Sequence, residues 1–242
     1  ALEALDGLAL SGERFAMTVG FMLPHAPYAA SRKWVDHFMK VLPPPEIPVG
    51  ASDTGWIAWW RKNRGIENVP ERQSRLARAA YWGLVAVLDE MIGRILSRLE
   101  SLGLLEDTLV VYASDHGDHV GERGLWWKHS FYDESVKVPM ILAHRSLSRG
   151  IRDEVVSLID LAATMTEAMG AEALPDSKGR SFWPLLTKGH QEWENSVFSE
   201  YCTDAVPDWT GGRAVQQRML REGQWKLHYY HGETPHLYNL LD

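Results

Sequence analysis

The sequence TLVVYASDHG, residues 108–117, joins an uninterrupted apolar run to a short polar turn. The β-branched and apolar residues of 108–113 predict a strand covered on both faces, as in a parallel sheet. In open α/β sheets ligands bind beyond the carboxyl ends of the strands, which is where Ser114, Asp115, His116 and Gly117 fall. We therefore expect the turn after this strand to carry the chemistry of the protein.

A long amphipathic helix is predicted immediately before that strand. Apolar residues recur at intervals of three or four between Glu71 and Leu102, with Pro70 before the segment and Gly103 after it. A helix followed by a buried strand is typical of α/β proteins, so the fold class is predicted to be α/β.

Other segments predict the rest of the architecture. We expect strands at 14–21 and 137–143, an irregular excursion at 42–68, a helix at 153–169, and an antiparallel hairpin of 214–221 and 224–231 around Glu222-Gly223. The inward side of the helix at 153–169 is expected to be apolar: Val156, Ile159, Leu161, Ala163, Met165 and Met169. The residue composition changes after Gly170. This change predicts two domains, residues 1–175 and a C-terminal α+β subdomain, 176–242, with a small antiparallel sheet.

Composition excludes several classes of function. The 242 residues carry a net charge of -7 and no basic run, so nucleic acid is not an expected partner. No apolar run approaches the roughly 20 residues of a membrane-spanning helix, and the single cysteine, Cys202, rules out an intrachain disulfide framework. A small-molecule partner is expected. A homo-oligomer, and the compartment, remain open.

Asp115 and His116 are the candidate metal ligands. A carboxylate beside an imidazole suits manganese or zinc, whereas calcium prefers more oxygen donors. The alternative is that Asp115 caps the turn and His116 is a solvated loop residue. Lys128 is a candidate cation for a tetrahedral anion, and His25, between two prolines, could transfer a proton or bind an anion. A surface lysine and a structural histidine are the corresponding alternatives.

Further residues of the same loop are candidates to support the site. They are His119, His129 and Tyr132, together with Trp127, which with Trp126 could exclude water. Asp118, Glu122 and Arg123 are expected to hold the loop instead. An aromatic wall, or a cage for a cationic group such as choline, could be formed by Trp56, Trp59, Trp60, Trp126 and Trp127. Packing is the alternative role for these tryptophans.

Six collinear segments covering nearly the whole chain resemble the sulfatases of the alkaline-phosphatase-like superfamily. They are RFAMTVGFMLPHAPY, ARAAYWGLVAVLDEMIGRILSRL, LEDTLVVYASDHGDHVGERGLWWKHSFYDESVKVPMIL, VVSLIDLAATMTEAMG, KGRSFWPLL and MLREGQWKLHYYHGETPHLYNLLD. Their amino-acid sequences are most similar to those of the choline-sulfatase and phosphonate-monoester-hydrolase-like branches.

The resemblance implies an alkaline-phosphatase-like α/β fold, with a mixed sheet flanked by helices and a small C-terminal antiparallel-sheet subdomain. It also implies a hydrolase of sulfate esters, or of related phosphate or phosphonate esters. It implies one divalent metal, calcium or manganese, on Asp115 and His116, a sulfate-binding role for Lys128, and a catalytic role for His25. Many sulfatases have asparagine beside the metal aspartate and use calcium. His116 departs from that pattern and resembles the manganese-using or broader-specificity branch.

The resemblance also implies a nucleophile that these residues lack. In the family a Cys/Ser-x-Pro-x-Arg motif is converted to formylglycine, and neither this motif nor the family's N-terminal aspartate pair occurs here; Cys202 is not followed by the pattern. We therefore expect a C-terminal portion of a longer enzyme. Three hypotheses follow: a sulfatase, a phosphonate or phosphate diester hydrolase, or 242 residues that alone are catalytically inert.

Overall fold

Helices occupy most of the regular structure in the first half of the chain. The structure, a computed structural model, describes residues 1–46, 55–189, 191–202, 212 and 214–241. Its helices are α1 (Leu2–Ser11), α2 (Arg32–Val41), α3 (Gly55–Asn63), α4 (Glu71–Ser101), α5 (Asp133–Val136), α6 (Leu158–Ala168) and α7 (Trp183–Thr187). Its strands are β1 (Val110–Ala113), β2 (Met140–Ala143), β3 (Ser196–Cys202), β4 (Gln216–Glu222), β5 (Trp225–Tyr230) and β6 (His236–Asn239).

The described residues group into two compact units. One is built from residues within Ala1–Ala51 and Trp60–His144, and the other from residues within Ser52–Trp59 and Arg145–Asp242. The predicted division of the sequence at residue 175 stays a prediction. None of the described helices is both long enough and apolar enough to cross a membrane.

Helix α4 confirms the predicted helix over 71–102 and forms the spine of the first unit. Its buried side chains include Ala79, Leu84, Leu88 and Leu99, which follow the helical period. Gly83 allows α2 and the residues before it to approach closely, because a Cβ at this position would lie 2.7 Å from the Cβ of Ala30 and 3.1 Å from the Cβ of Trp34 in α2. The spine therefore packs directly against the segment that follows His25.

Strands β1 and β2 confirm two predicted strands but pair antiparallel. Val110 lies opposite Ala143 and Ala113 lies opposite Met140. The expected parallel pairing of β1 is wrong for the described strands, because the chain returns from β1 to β2 through a loop instead of a crossover helix. That loop, residues 114–139, starts and ends at the same edge of the sheet, so its two ends lie side by side.

Two other predictions for the first half of the chain are wrong. Residues 14–21 alternate in exposure along the chain but have no regular secondary structure and pair with no described strand, so their backbone groups form no ladder. In the predicted irregular excursion, residues 47–54 lie outside the described part, while Gly55–Asn63 is helical. Trp56 and Trp60 stand one turn apart in α3 and are both buried, which favours a helix once the prolines are passed.

The second unit contains a four-stranded antiparallel sheet in the order β3-β4-β5-β6. Glu222 pairs with Trp225, and Gly223 in the turn has a φ of 54°, so the predicted hairpin is confirmed.

Helix α6 confirms the predicted helix but begins later and buries a different face. Ile159 and Met169, predicted to point inward, are exposed, whereas Asp160 and Thr164 are buried. These polar groups are satisfied locally: Asp160 accepts hydrogen bonds from the backbone amides of Ser157 (2.9 Å) and Arg180 (2.8 Å). The prediction is therefore wrong for Ile159 and Met169. The other four residues predicted to point inward are partly buried: Val156, Leu161, Ala163 and Met165. The fully buried face is polar and forms hydrogen bonds to its neighbours.

Candidate active site

Asp115 and His116 follow directly after β1, at the start of the loop. The side chain of Asp115 is 85 % exposed, and its Oδ1 accepts a hydrogen bond from the backbone amide of His116 at 3.0 Å. Its other oxygen, Oδ2, lies 3.5 Å from His116 Nε2. Asp115 therefore caps its own turn with one oxygen and presents the second beside an imidazole nitrogen.

Gly117 is required by a close approach of backbone. Its amide donates to the carbonyl of Ser135 at 2.7 Å, and a Cβ at this position would lie 2.1 Å from the carbonyl oxygen of Glu134. The start of the loop is thereby attached to α5. A side chain of any size at 117 would separate these segments.

Lys128 and His25 meet although they are far apart in the sequence. Lys128 Nζ lies 3.3 Å from His25 Nε2, and His25 Nδ1 lies 2.6 Å from the carbonyl oxygen of Ala26. Because a carbonyl only accepts, Nδ1 carries the proton, and Nε2 accepts from the lysine ammonium. The His25 ring also stands 6.3 Å, centroid to centroid, from the ring of His116. Lys128, His25 and the Asp115-His116 pair thus form one cluster within the first unit.

Asp118 confirms the expectation that it holds the loop. Its Oδ1 accepts from the backbone amides of Val120 (3.0 Å) and Trp127 (2.9 Å), and its Oδ2 accepts from the hydroxyl of Tyr28 (2.6 Å). Burial, followed by the neighbouring Asp118 carboxylate, raises the pKa of Tyr28 well above its ordinary value, so the phenol remains a donor. The same two causes raise the pKa of Tyr81, whose ring contacts that of Tyr28, to about 12.

Glu122 and Arg123 also hold the loop, as expected. Glu122 accepts from the Arg78 guanidinium at 2.7 Å and from the amide of Glu46 at 2.6 Å. Arg123 donates to Glu134 at 3.2 Å and lies 4.6 Å from the centre of the Tyr132 ring. Tyr132 therefore lies against an arginine of the same loop.

His119 is enclosed beneath the loop. It is buried, and its Nε2 lies 2.8 Å from Ser130 Oγ. Burial is the largest cause that lowers the pKa of His119 to about 3, with Arg123, Arg61 and His129 contributing in the same direction.

His129 and Trp127 pack beside Trp60. The His129 ring lies 4.0 Å from that of Trp60, while the Trp127 ring meets Trp60 edge-on at 6.4 Å. Burial first, and then the charge of Lys128, lower the pKa of His129 to about 4. Both His129 and His119 are therefore neutral at physiological pH and add no positive charge beside Lys128.

Three of the five tryptophans considered for an aromatic wall or cage are buried. Trp56, Trp60 and Trp126 are no more than 6 % exposed, so their faces pack inside the protein. The packing role, the alternative for these three residues, is the one observed.

Sequence patterns missed two residues that position the loop. Arg78 is a buried arginine of α4 whose Nη1 donates to the carbonyl of Val120 at 2.8 Å as well as to Glu122. Tyr28 stands at the end of the His25 segment. An arginine on the apolar face of α4 was the available signal for Arg78, because an arginine there needs a partner. No pattern signals that Tyr28 reaches Asp118.

The cluster offers two side chains, those of Asp115 and His116, as ligands for the metal that the resemblance implies. No group of three or more His, Cys, Asp and Glu side chains that could hold an ion occurs in the described part of the chain. Asp115 and His116 nevertheless fit as two ligands: His116 Nδ1 lies 2.8 Å from the Gly117 carbonyl and so carries the proton, leaving the Nε2 lone pair beside Asp115 Oδ2. Their 3.5 Å separation suits two ligands that each lie roughly 2.1 Å from a common ion.

Two family models together cover the chain. The family model described as Sulfatase matches residues 1–171, and the model described as N-sulphoglucosamine sulphohydrolase, C-terminal, matches residues 121–242. The chain belongs to the sulfatase family. As a sulfatase-family chain of the alkaline-phosphatase-like superfamily it has the predicted α/β class, with the predicted antiparallel sheet near its C-terminus.

Individual relatives agree with this family. The chain is 31 % identical to the choline-sulfatase of Rhizobium meliloti over 93 % of its own length and 44 % of the relative. It is 27 % identical to the multifunctional alkaline phosphatase superfamily protein PehA of Trinickia caryophylli, covering 83 % of the chain and 43 % of PehA. Among solved structures, a phosphonate monoester hydrolase from Silicibacter pomeroyi superposes with a TM-score of 0.77 at 25 % identity, over 89 % of this chain and 48 % of that one. This sulfatase-family chain thus spans less than half the length of these relatives.

Proposed function

We propose that the whole protein hydrolyses sulfate esters of small molecules. The observation that carries this proposal is the 3.3 Å contact between Lys128 Nζ and His25 Nε2, with the His116 ring next to His25. A cation, a proton-transfer group and two metal-ligand side chains are brought together by two distant segments of sequence. Membership of the sulfatase family supports the same chemistry.

Lys128 is proposed to bind the sulfate group. Its ammonium is a compact charge at an exposed position, and both neighbouring histidines of the loop, His119 and His129, stay neutral. The cation therefore stabilises negative charge that develops on the sulfate oxygens in the transition state. Its backbone carbonyl accepts from Ser135 Oγ at 2.7 Å, which fixes the point from which the side chain extends.

His25 is proposed to assist the leaving oxygen. The Ala26 carbonyl holds the ring through Nδ1, so Nε2 is directed at Lys128. An ester oxygen that binds beside this pair can lie within hydrogen-bonding distance of both Nε2 and the ammonium. Once Nε2 has taken up a proton from solvent, the His25 ring can pass that proton to the departing alkoxide or phenoxide and return to the form protonated on Nδ1 alone.

Asp115 and His116 are proposed to hold one divalent metal, calcium or manganese. The imidazole nitrogen favours manganese, because calcium prefers oxygen ligands. When bound, such an ion polarises a sulfate oxygen and adds to the charge stabilisation. The chain's own contribution is the orientation of the two ligands by the Gly117 and His116 backbones.

The nucleophile is proposed to be a formylglycine outside these residues. No Cys/Ser-x-Pro-x-Arg motif occurs in the sequence, and Cys202, an exposed cysteine, lacks the pattern. Residues 1–175 then belong to the catalytic domain and 176–242 to its C-terminal subdomain. The 242 residues alone should hydrolyse no ester; turnover by a chain verified to begin at Ala1 would contradict this part of the proposal.

The role of Lys128 is tested in the complete protein with Lys128→Ala. We expect kcat/KM for 4-nitrophenyl sulfate to fall by about 100-fold, as when a transition-state donor is removed. The matched control is Lys137→Ala, which removes an exposed lysine of the same region and should leave kcat/KM unchanged. An unchanged kcat/KM in Lys128→Ala would remove Lys128 from the site.

A phosphonate monoester or phosphodiester hydrolase is the second candidate function. The structural similarity to the Silicibacter pomeroyi phosphonate monoester hydrolase favours it, and a lysine, a histidine and a metal suit any tetrahedral anionic ester. The two candidates are separated by kcat/KM for aryl sulfate, phenylphosphonate monoester and phosphodiester substrates, measured with the same enzyme. Sulfate esters should be the preferred class, and a higher kcat/KM for phosphonate esters would favour the second candidate.

A further inference from the structure

The segment that carries His25 and the loop that carries Lys128 are joined by a second set of contacts. Tyr28 OH donates to Asp118 Oδ2 at 2.6 Å, while Asp118 Oδ1 accepts from the amide of Trp127 at 2.9 Å. Trp127 is the residue before Lys128, and Tyr28 lies on the same short segment as His25. One carboxylate therefore connects the backbones from which both side chains extend.

Trp127 needs such a contact to keep its conformation. Its φ of 66° lies in the left-handed region, which costs a non-glycine residue roughly 1 kcal/mol or more. The amide of Trp127 is held by Asp118, and its carbonyl accepts from the amide of His119 at 2.9 Å. The direction in which the chain enters Lys128 thus depends on Asp118.

We propose that Asp118 is a positioning residue, and that the Tyr28–Asp118–Trp127 linkage sets the spacing between His25 and Lys128. This inference rests on the proposed function and assigns a new role within it. Asp118 touches neither the ester nor the metal ligands in this role. It acts through the two residues that do meet the ester, because a displacement of about 1 Å at such groups can cost 100-fold in rate.

Tyr28→Phe removes only the hydrogen bond that joins the His25 segment to Asp118. The Tyr28 ring packs against the rings of Tyr81 (5.7 Å) and Trp126 (6.2 Å), and phenylalanine keeps that packing while it removes the hydroxyl. Asp118 still holds Trp127, so Lys128 keeps its place. The His25 segment alone is released.

The experiment compares two aryl sulfates in the complete protein. Phenyl sulfate has a poor leaving group that needs a proton from His25, whereas the leaving group of 4-nitrophenyl sulfate departs with little assistance. In Tyr28→Phe we expect kcat/KM to fall about tenfold for phenyl sulfate and less than about twofold for 4-nitrophenyl sulfate. An equal fall for both substrates, or no fall for either, would overturn the role of the linkage.

Two further variants separate positioning from general support of the loop. Asp118→Asn keeps an oxygen acceptor for backbone amides and should retain more activity than Asp118→Ala. Glu122→Gln is the matched control, since Glu122 fixes the same loop to Arg78 and to Glu46 but makes no hydrogen bond to the His25 segment. Glu122→Gln should change kcat/KM for the two substrates by the same factor. A fall in kcat/KM for phenyl sulfate alone in this variant would count against the linkage.

A structural measurement distinguishes failure of the linkage from failure of the proposed function. If the wild-type protein hydrolyses no sulfate ester, the proposed function is wrong, and crystal structures of wild type and Tyr28→Phe then decide the linkage. We expect the 3.3 Å distance between His25 Nε2 and Lys128 Nζ in the wild type and a longer, broken contact in the variant. The same distance in both structures would overturn the inference, whatever the activity.

Discussion

At the residue scale, the candidate site depends on the absence of a side chain at Gly117 as much as on its charged side chains. Asp115 and His116 can face a common point only if the chain turns at once toward α5, and that turn places Gly117 against the backbone of Glu134. Its amide donates to the carbonyl of Ser135 at 2.7 Å, so the two backbones cannot separate without breaking a hydrogen bond. Gly117 is therefore as much part of the candidate site as the two proposed ligands before it.

We predict that Gly117→Ala disrupts the site. The new Cβ would lie 2.1 Å from the Glu134 carbonyl oxygen, so the backbone must move and take Asp115 and His116 with it. We expect a fall of at least about 100-fold in kcat/KM for 4-nitrophenyl sulfate in the complete protein. Gly93→Ala is the matched control, because nothing lies within 4 Å of its added Cβ and alanine favours the helix α4. Full activity of Gly117→Ala would show that the turn can open freely.

At the element scale, regular periodicity was predictable and tertiary contacts were not. Helix α4 and the hairpin of β4 and β5 follow from local patterns, an apolar residue every three or four positions and a turn at Gly223. The antiparallel partner of β1 depends on where the chain returns. A run such as 14–21 has the same apolar composition whether or not another strand pairs with it.

The same distinction applies within the candidate site. The Asp115-His116 pair was a candidate because it follows a strand, and Lys128 and His25 were candidates because of their residue types, to which the family resemblance added specific roles. The hydrogen bond from Tyr28 to Asp118 joins residues 90 positions apart, and no local pattern encodes such a contact. The burial of His119 and Trp60 could not be predicted for a similar reason, since the local sequence around a residue does not indicate which distant segments cover it.

We predict that Asp160→Ala destabilises the second unit. Asp160 is 3 % exposed and accepts hydrogen bonds from the amides of Ser157 and Arg180, which would both lose their acceptor. Two unsatisfied amides should lower the free energy of unfolding by roughly 2–4 kcal/mol, measured in urea. Asp160→Asn, which keeps one oxygen, should cost less, and the exposed Asp153→Ala should be close to neutral. Equal stability of Asp160→Ala and wild type would show that other groups or water satisfy these amides.

At the scale of the whole molecule, the interior beneath the loop couples stability to pH. His119 and His129 are held neutral, with pKa values lowered to about 3 and about 4, mainly by burial. In the unfolded chain the pKa values of both histidines return to about 6.5. The unfolded state therefore binds more protons than the folded state between these values, so stability is fully present above about pH 6.5 and is lost as the pH falls toward 4 and then 3.

We predict that His119→Gln weakens this dependence on pH. Glutamine does not titrate, and its amide can still form a hydrogen bond with Ser130, the partner of His119 Nε2 at 2.8 Å. The slope of unfolding free energy against pH should fall by about 1 kcal/mol per pH unit between about pH 4.5 and 6, because each buried neutral histidine contributes up to about 1.4 kcal/mol per unit in that range. Urea unfolding followed by tryptophan fluorescence at a series of pH values measures this slope. A variant with the slope of the wild type would mean that His119 takes up its proton in the folded protein, which would contradict its enclosure beneath the loop.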